Sequence, residues 1–501
     1  MRCYSSSPYA SQRWKSIRTI ASGAVRVLTF VFFVFLACMF LNTAVGQQSA
    51  PAPQIWDLPT IGPPETMVLL QGVGFDPLTP IELYFDSSVV GTTTTDVHGW
   101  FGQGVITATG ASWTHLQVPA DALPGPHTIT AQQLVGQKSA QKLFVVRTDW
   151  PQFRYGPDHL GVKPYEFLLS TKTVPNLALK WRSQTPGWVS SSPAVVGGVV
   201  FVGGDGYIYA LDGGSGNVNW KYPTGWPPSV FSSPAVANGV VYVGADDNNV
   251  YALYSSDGSL KWKYTTSDAV RSSPTVVNGT VYVGSEDKNV YALDADTGAK
   301  KWSYTTAGYV YSSPAVVNNV VYVGSEDPNS GLGHLYALEA DTGYKKWQYD
   351  TGGYVDSSPA VASGVVYFGC WDGFTYALNA NDGSLKWKQP GGLDSPAVTN
   401  DLVYVGGAGN GWELWALNSS DGSLNWKYQT GSNIWNSSPA VANGVVYFGS
   451  FDKTLYALNA DTGAFLWSYI TGDAIDSSPV VVDGVVYVGS DDHWVYAFSL
   501  P

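Results

Sequence analysis

The chain has 501 residues, more than one compact domain usually holds, and a formal net charge of −13. Its 20 Trp, 31 Tyr, 19 Phe and 55 Gly, with only 13% charged residues, exclude a disordered chain and suit many short strands joined by tight turns. So acidic a protein repels nucleic acid and anionic membrane surfaces, which removes both as partners.

Residues 1–46 carry Arg2, Arg13, Lys15, Arg18 and Arg26 and no acidic residue. The apolar run Val27–Leu41 follows, then the small-x-small site Ala44-Val45-Gly46, so 1–46 reads as a secretory signal. An uncleaved run would be short of the roughly 20 residues that span a bilayer, and Phe35-Leu36-Ala37-Cys38 loosely resembles a lipidation site. The expected address is exported: periplasmic, secreted or cell-surface, with no transmembrane segment once the signal is removed. Losing the five signal charges moves the net charge from −13 to −18. It also leaves Cys370 as the single cysteine of the mature chain, so no internal disulfide is expected.

Residues 52–147 predict seven short strands: Met67–Phe75, Ile81–Asp86, Val89–Thr95, Trp100–Ile106, Trp113–Val118, His127–Leu134 and Ala140–Val146. Turn residues such as Pro124-Gly125-Pro126 separate them. Seven strands in under 100 residues predict a β-sandwich, and the pattern resembles Ig-like or IPT-type modules. Residues 148–176, rich in Pro and Gly, read as a linker.

From residue 177 to 501 the sequence repeats. The triplet Ser-Ser-Pro ends at Pro193, Pro234, Pro274, Pro314, Pro359, Pro439 and Pro479, with a shortened Asp394-Ser395-Pro396 in the sixth repeat. Seven steps span 286 residues, about 41 each, within the range of propeller blades. In the third repeat, Ser272–Val277, Val281–Gly284, Val290–Asp294 and Lys300–Tyr304 read as four strands, with the type I′ signal Asn278-Gly279 between the first two. A Trp recurs in step: Trp181, Trp220, Trp262, Trp302, Trp347, Trp387, Trp426 and Trp467. Trp181 precedes the first triplet and no Trp of this series follows the last. Eight three-strand sets therefore pair with eight Trp strands only if Leu177–Ser183 supplies the outer strand of the last blade. The fold class predicted is all-β: an eight-bladed propeller with this velcro closure, preceded by the sandwich.

Each Trp stands at a fixed distance from a Gly, as in Ala292-x-Asp294-x-x-Thr297-Gly298-x-x-x-Trp302. The indole can lie flat across a neighbouring blade where Gly presents no Cβ, so these eight Trp are read as docking residues, not catalysts. This motif resembles the tryptophan-docking motif of pyrroloquinoline-quinone (PQQ)-type propellers, a superfamily that holds both quinoprotein dehydrogenases and BamB-like assembly factors. The leading segment Trp150-Pro151-Gln152-Phe153-Arg154 is similar too. The resemblance covers 150–501 and speaks to fold, not activity.

Six scattered His, no nucleophile elbow and no phosphate loop leave little for catalysis. Cys370 replaces the Ser that ends the second strand elsewhere (Ser285, Ser325, Ser450, Ser490) and reads as a buried near-isostere. Two positions vary while their neighbours repeat. One precedes each Ser-Ser-Pro: Ser190, Phe231, Arg271, Tyr311, Asp356, Asn436 and Asp476, with Leu393 in the sixth repeat. The other is the second turn: Asp246, Glu286, Glu326, Trp371, Phe451 and Asp491. Both belong on one face, the first set rimming a central channel, and positions freed from structural duty can carry specificity. The candidate ligand site is therefore Arg271, Asp356, Asp394, Asp476, Tyr311 and Phe231. Three acids against one base make it negative and suited to a cation, or to a cationic protein or glycan of the cell envelope.

These features point to a non-catalytic extracytoplasmic scaffold needing no cofactor. The resemblance supplies the alternative, a PQQ-dependent dehydrogenase using PQQ and Ca²⁺. In that family the quinone lies against a Trp beneath a vicinal Cys-Cys pair, with the metal ligands on long loops. This sequence has no Cys-Cys pair, and its repeats are too short for those loops.

Overall fold

The computed structural model describes residues 52–501 except 103–104, 108–109, 113, 228 and 409–410. The predicted signal, with Cys3 and Cys38, lies outside the described residues. Among the described residues, no helix is long and apolar enough to cross a membrane.

In the N-terminal module two sheets share one core. Gln54–Leu58, Met67–Val73 and Thr114–Gln117 form one sheet. Ile61–Gly62, Ser139–Val146, Gly125–Gln133, Pro80–Phe85 and Ser88–Thr94 form the other. Val68, Leu70, Ile81, Leu83, Ile129 and Phe144 are fully buried between them. Gln54–Leu58 has no strand signal of its own in the sequence: it pairs along the length of Met67–Val73 through the backbone. Where a strand is expected over Trp100–Ile106, the described residues hold Val105–Thr107, paired with Gly110–Ser112.

Among the described residues, seven antiparallel sheets of four strands follow, with an eighth whose four antiparallel strands carry a short parallel fifth. Blade 3 is typical: Thr275–Val277, Thr280–Gly284, Asn289–Asp294 and Lys300–Thr305. Asn278 and Gly279 turn at φ 48° and 71°, as the type I′ turn requires. The first strand starts three residues later than expected, because Pro274 has no N–H and Ser272 and Ser273 bond to the next blade instead. Second strands such as Val240–Ala245 are buried at every residue, since a blade is packed on both faces, whereas outer strands keep an alternating pattern.

Three sets of contacts join blade to blade. In the first, each motif Trp donates its Nε1–H across the gap to a carbonyl of the next blade. Trp181 bonds Gly213, Trp220 bonds Ser255, Trp262 bonds Ala295 and Trp302 bonds Ala340. Trp347 then bonds Ala380, Trp387 bonds Ser419 and Trp426 bonds Ala460, all seven at 2.8–3.1 Å. Seven of the eight indoles are buried, and Trp220 alone is half-buried. The glycine that each of these indoles needs is therefore the neighbour's, not the one in its own motif. A Cβ on Gly216, at φ 74°, would stand 2.6 Å from the Trp181 ring. Tyrosines of the second strands, such as Tyr242 and Tyr282, add their hydroxyls to the same carbonyls.

The second set surrounds the channel, where the second Ser of each triplet donates its backbone N–H to the hydroxyl of its counterpart in the next blade. This belt runs from Ser192 to Ser395, and from Ser438 through Ser478 back to Ser192, at 2.9–3.0 Å. The bond from Ser478 to Ser192 closes the ring. The third contact is the terminal strand: Ala178–Gln184 pairs antiparallel with Trp494–Ser499 and completes blade 8. Trp467, which faces that blade, donates to Leu177 at 3.0 Å.

Residues 148–176 are not a linker. The first strand of each blade presents N–H groups to the channel with no strand beyond to accept them, and buried N–H groups need partners. Carbonyls of Trp150, Pro151, Pro157, Asp158, Leu160 and Gly161 accept from Val195, Val236, Val316, Val361, Val398 and Val441, at 2.7–2.9 Å. The Gln152 side chain accepts from Val276 at 3.1 Å. Seven blades are thus capped by one segment coiled inside the ring, and Val162–Lys163 continues it as a fifth strand on blade 7. Arg154 is buried within the coil, bonded to the carbonyls of His159 and Pro396. The Pro and Gly content that suggests a flexible tether serves a path that turns continuously and offers mainly acceptors.

Cys370 is buried, and its thiol bonds the Gly353 carbonyl at 3.3 Å, as Ser285 bonds Asp268 at 3.2 Å in blade 3. Burial pushes that thiol up to about 12, so it is inert.

Trp181→Ala removes the docking indole and weakens the closing strand. It should cost about 3–5 kcal/mol, read as a lowered melting temperature or denaturant midpoint. An unchanged midpoint would refute this closure. Gln152→Ala leaves the Val276 N–H without an acceptor and should cost about 1–3 kcal/mol by chemical denaturation.

Candidate functional site

The coiled segment makes the channel blind. What remains is a cup of about 470 Å³ open on the Ser-Ser-Pro face, with Phe153 and the Ser belt among its lining residues. All six residues singled out from the sequence, Arg271, Asp356, Asp394, Asp476, Tyr311 and Phe231, line this one cup. The two variable sets do meet, within a blade, as Arg271 and Glu286 of blade 3 do at 3.2 Å, and also across blades, where the second turn of one blade touches the start of the next. Asp246 of blade 2 pairs with Arg271 of blade 3, and Asp491 of blade 8 accepts from Ser190 of blade 1 at 3.2 Å.

Arg271 is already engaged. Its guanidinium makes two 3.0 Å bonds to Asp246, stands 3.2 Å from Glu286 and lies 5.0 Å over the Phe231 ring. Among the described residues, no salt bridge involves Asp356, Asp394 or Asp476. Asp394 replaces the first Ser of the triplet in the shortened sixth repeat, next to Ser395, where the belt ends. Its Oδ1 accepts the backbone N–H of Asn436 at 3.0 Å, while its Oδ2 has no partner. Asp356 Oδ1, Asp476 Oδ1 and the indole N–H of Trp435 are likewise buried and unpartnered.

Burial raises all three carboxyls. Asp356 reaches about 8 through burial and the nearby Glu326. Asp394 also reaches about 8: burial and Asp476 push it up, against the Asn436 N–H and Arg154. Asp476 reaches about 7, through burial and then Asp491. The simple expectation of three full negative charges is therefore corrected. Burial disfavours the charged form of each of these carboxyls, so the cup is less negative than three free aspartates would make it.

Trp435 is missing from the set drawn from the sequence, which has Asn436 at the variable position. Blade 7 carries one extra residue there. Ile434 occupies the place of Val189, Val230 or Val310, Trp435 takes the variable position, and Asn436 bulges at φ 67°. The signal is present in the spacing, since two residues separate Ile434 from Ser437 where other repeats have one. Trp435 meets Trp371 at 6.0 Å and Phe451 at 6.2 Å between ring centroids, which gives the cup an aromatic wall.

The chemistry of this donor set does not fit a quinone with its metal. Among the described residues, no three His, Cys, Asp or Glu side chains are grouped to hold a metal ion. A quinone bearing carboxylates would face Asp356, Asp394 and Asp476, with Arg271 shared between Asp246 and Glu286.

The family model described as outer membrane protein assembly factor BamB matches residues 177–273, 224–327, 268–390, 333–434 and 429–500, well over half of the chain. The chain belongs to this family of PQQ-type β-propellers. Among solved structures, it is similar to the quinohemoprotein alcohol dehydrogenase of Comamonas testosteroni, with a TM-score of 0.62 at 19% identity over 70% of this chain and 80% of that one. BamB from Moraxella catarrhalis aligns at 0.56 and 17%, over 64% and 99%. The computationally designed protein Ika8 aligns at 0.56 and 17%, over 64% and 100%. An enzyme, an assembly factor and a designed chain share this fold about equally, so the fold alone decides no activity. No curated protein sequence matches the chain.

The raised carboxyls make stability depend on pH. Between the ordinary carboxylate range near 4 and their folded values of about 7 to 8, the unfolded chain releases protons that the native cup retains, so stability falls as pH rises through that window. The double variant Asp394→Asn, Asp476→Asn cannot ionise there. Its melting temperature should gain on wild type more at pH 8 than at pH 5, and parallel curves at both pH values would contradict the assignment.

Proposed function

We propose that this protein is a non-catalytic binding scaffold of the cell envelope that docks a partner polypeptide on the cup face of its propeller. One observation carries the reading. In each blade the loops after the second and fourth strands lie at the cup end, and the loops after the first and third lie at the other. Among the described propeller residues, the exposed tryptophans Trp188, Trp226, Trp371 and Trp412, at 61, 85, 50 and 43% exposure, are all on cup-end loops. Exposed Trp is costly in solution and enriched where proteins bind one another, so its restriction to one face favours an interface there. The other end carries the repetitive Asn-Gly and Asp-x-Thr-Gly turns, whose duty is structural. Family membership supports an envelope setting, as does the signal-like 1–46. The donor set of the cup gives a dehydrogenase reading no comparable support.

The test compares faces. In photo-crosslinking within the envelope, the triple variant Trp188→Ala, Trp226→Ala, Trp412→Ala should lose the adducts that wild type forms. Tyr254→Ala with Tyr344→Ala, on opposite-end turns, should keep them. Adducts retained by the first variant and lost by the second would move the docking surface to the other end.

A further inference from the structure

Blade 1 departs from the other repeats at its cup end. Its second turn has two residues, Asp205 and Gly206 between the paired Gly204 and Tyr207, where blades 2, 5 and 8 use three. The residue it lacks is the one that elsewhere meets the next blade, as Asp246 meets Arg271 and Asp491 meets Ser190. The space in front of Phe231 is therefore not filled from blade 1. A recess of about 260 Å³ opens there, with Trp188, Asp205, Phe231 and His493 among its lining residues.

The same turn releases Asp205 from structural duty. In blades 2, 3, 5, 7 and 8 one aspartate of this turn accepts two bonds. The first comes from a backbone N–H of the loop leading into the blade, at 2.6–3.3 Å. The second comes from the hydroxyl of the tyrosine four residues on, at 2.5–2.7 Å. Asp287, for example, holds Ser267 and Tyr291 in this way. In blade 1 Pro186 stands at the N–H position, since Thr185 bonds the Gly187 carbonyl as Thr471 bonds that of Asp473, and proline has no N–H to give. Tyr209, four residues after Asp205, is 3% exposed and its hydroxyl has no partner. A buried hydroxyl left unsatisfied costs stability, so blade 1 forgoes a bond that five other blades keep. Asp205 is exposed at the recess, and among the described residues it enters no salt bridge.

An exposed carboxylate beside aromatic faces matches a planar cation. A guanidinium stacks on a ring and presents two parallel N–H groups to the two oxygens of one carboxylate, whereas an ammonium is a point charge without that fork. The chain itself shows the pairing one blade further on. Arg271 makes two 3.0 Å bonds to Asp246 while its guanidinium lies 5.0 Å over the Phe231 ring. The recess offers the same two kinds of partner, a carboxylate in Asp205 and rings in Trp188 and Phe231.

We propose that the recess bounded by Trp188, Asp205 and Phe231 is a binding site for an arginine side chain presented by the docked polypeptide. The inference rests on the docking reading only for the source of the arginine. Trp188 belongs to the face that carries the exposed tryptophans, and a buried arginine against an aromatic is a common anchor of protein interfaces.

The test is ligand-observed saturation-transfer NMR on the full chain with four probes: N-acetyl-arginine amide, its neutral isostere N-acetyl-citrulline amide, N-acetyl-lysine amide and glucosamine. The arginine probe should bind about fivefold or more tighter than the other three. Asp205→Asn, which keeps the side-chain shape, and Trp188→Ala should each weaken it by about fivefold or more. Asp287→Asn should leave probe binding unchanged. Melting curves test the release of Asp205 separately: Asp287→Asn should lower the melting temperature, and Asp205→Asn should not. Equal affinity for the arginine and citrulline probes, no binding of either, or wild-type affinity in Asp205→Asn would overturn the site. Tighter binding of lysine or glucosamine would overturn the arginine assignment, and equal losses of melting temperature in the two Asn variants would overturn the release of Asp205. Because these probes need no partner protein, failure here with crosslinking intact removes only the arginine site. Success here with crosslinks lost from the wrong face removes only the docking surface.

Discussion

The structure depends on what becomes of the inner edge of a ring of sheets. A strand at the edge of a sheet carries unpaired N–H and C=O groups, and a propeller brings eight such edges together around one buried axis. Water could serve them only in an open channel. Here Trp150–Gly161 supplies acceptors to seven of the blades, and the serine belt links neighbouring blades above it except blades 6 and 7. The outer edge obeys the same constraint, and Ala178–Gln184 returns from before the first repeat to pair with the last.

Satisfying the edge creates the cup. Once the coiled segment seals one end, the groups at the other sit in a recess with little water, and a carboxyl there pays the full cost of desolvation. Asp394 is where these effects meet. In the sixth repeat Asp394 takes the place of the first Ser of the triplet, so a carboxylate stands where a hydroxyl ties strand to strand elsewhere. Its neighbour across the gap, blade 7, gained a residue, which put Trp435 on the wall and the Asn436 N–H beneath Asp394. One replacement and one insertion in adjacent repeats turned a symmetric belt into an asymmetric site.

That asymmetry separates this chain's function from its fold. Docking tryptophans, paired glycines and Asn-Gly turns recur because every blade must pack, and the fold they build is shared with an enzyme, an assembly factor and a designed protein. The residues that differ between blades lie at one end, and it is there that exposed indoles and unpartnered carboxyls gather.

The repeat, the four strands within it, the docking role of Trp220, Trp262, Trp347, Trp387 and their counterparts, and the need for Trp181 to close the ring are all legible in the residues alone. These are local or periodic demands, and identical demands leave identical residues. The end of the blades that varies is legible in the same way, and with it six of the residues that line the cup. Which partner each docking indole meets is not, because the glycine beneath it belongs to the following blade and only the closed ring brings the two together. Pro and Gly look alike in a tether and in a coil that caps strand edges, because the difference lies in the partners of their carbonyls. Trp435 and Asn436 exchange roles by a single bulge at φ 67°, whose trace in the sequence is one extra residue between Ile434 and Ser437. The protonation of Asp356, Asp394 and Asp476 depends on how much water the assembled ring excludes, and burial is a property of the whole fold rather than of any residue in the chain.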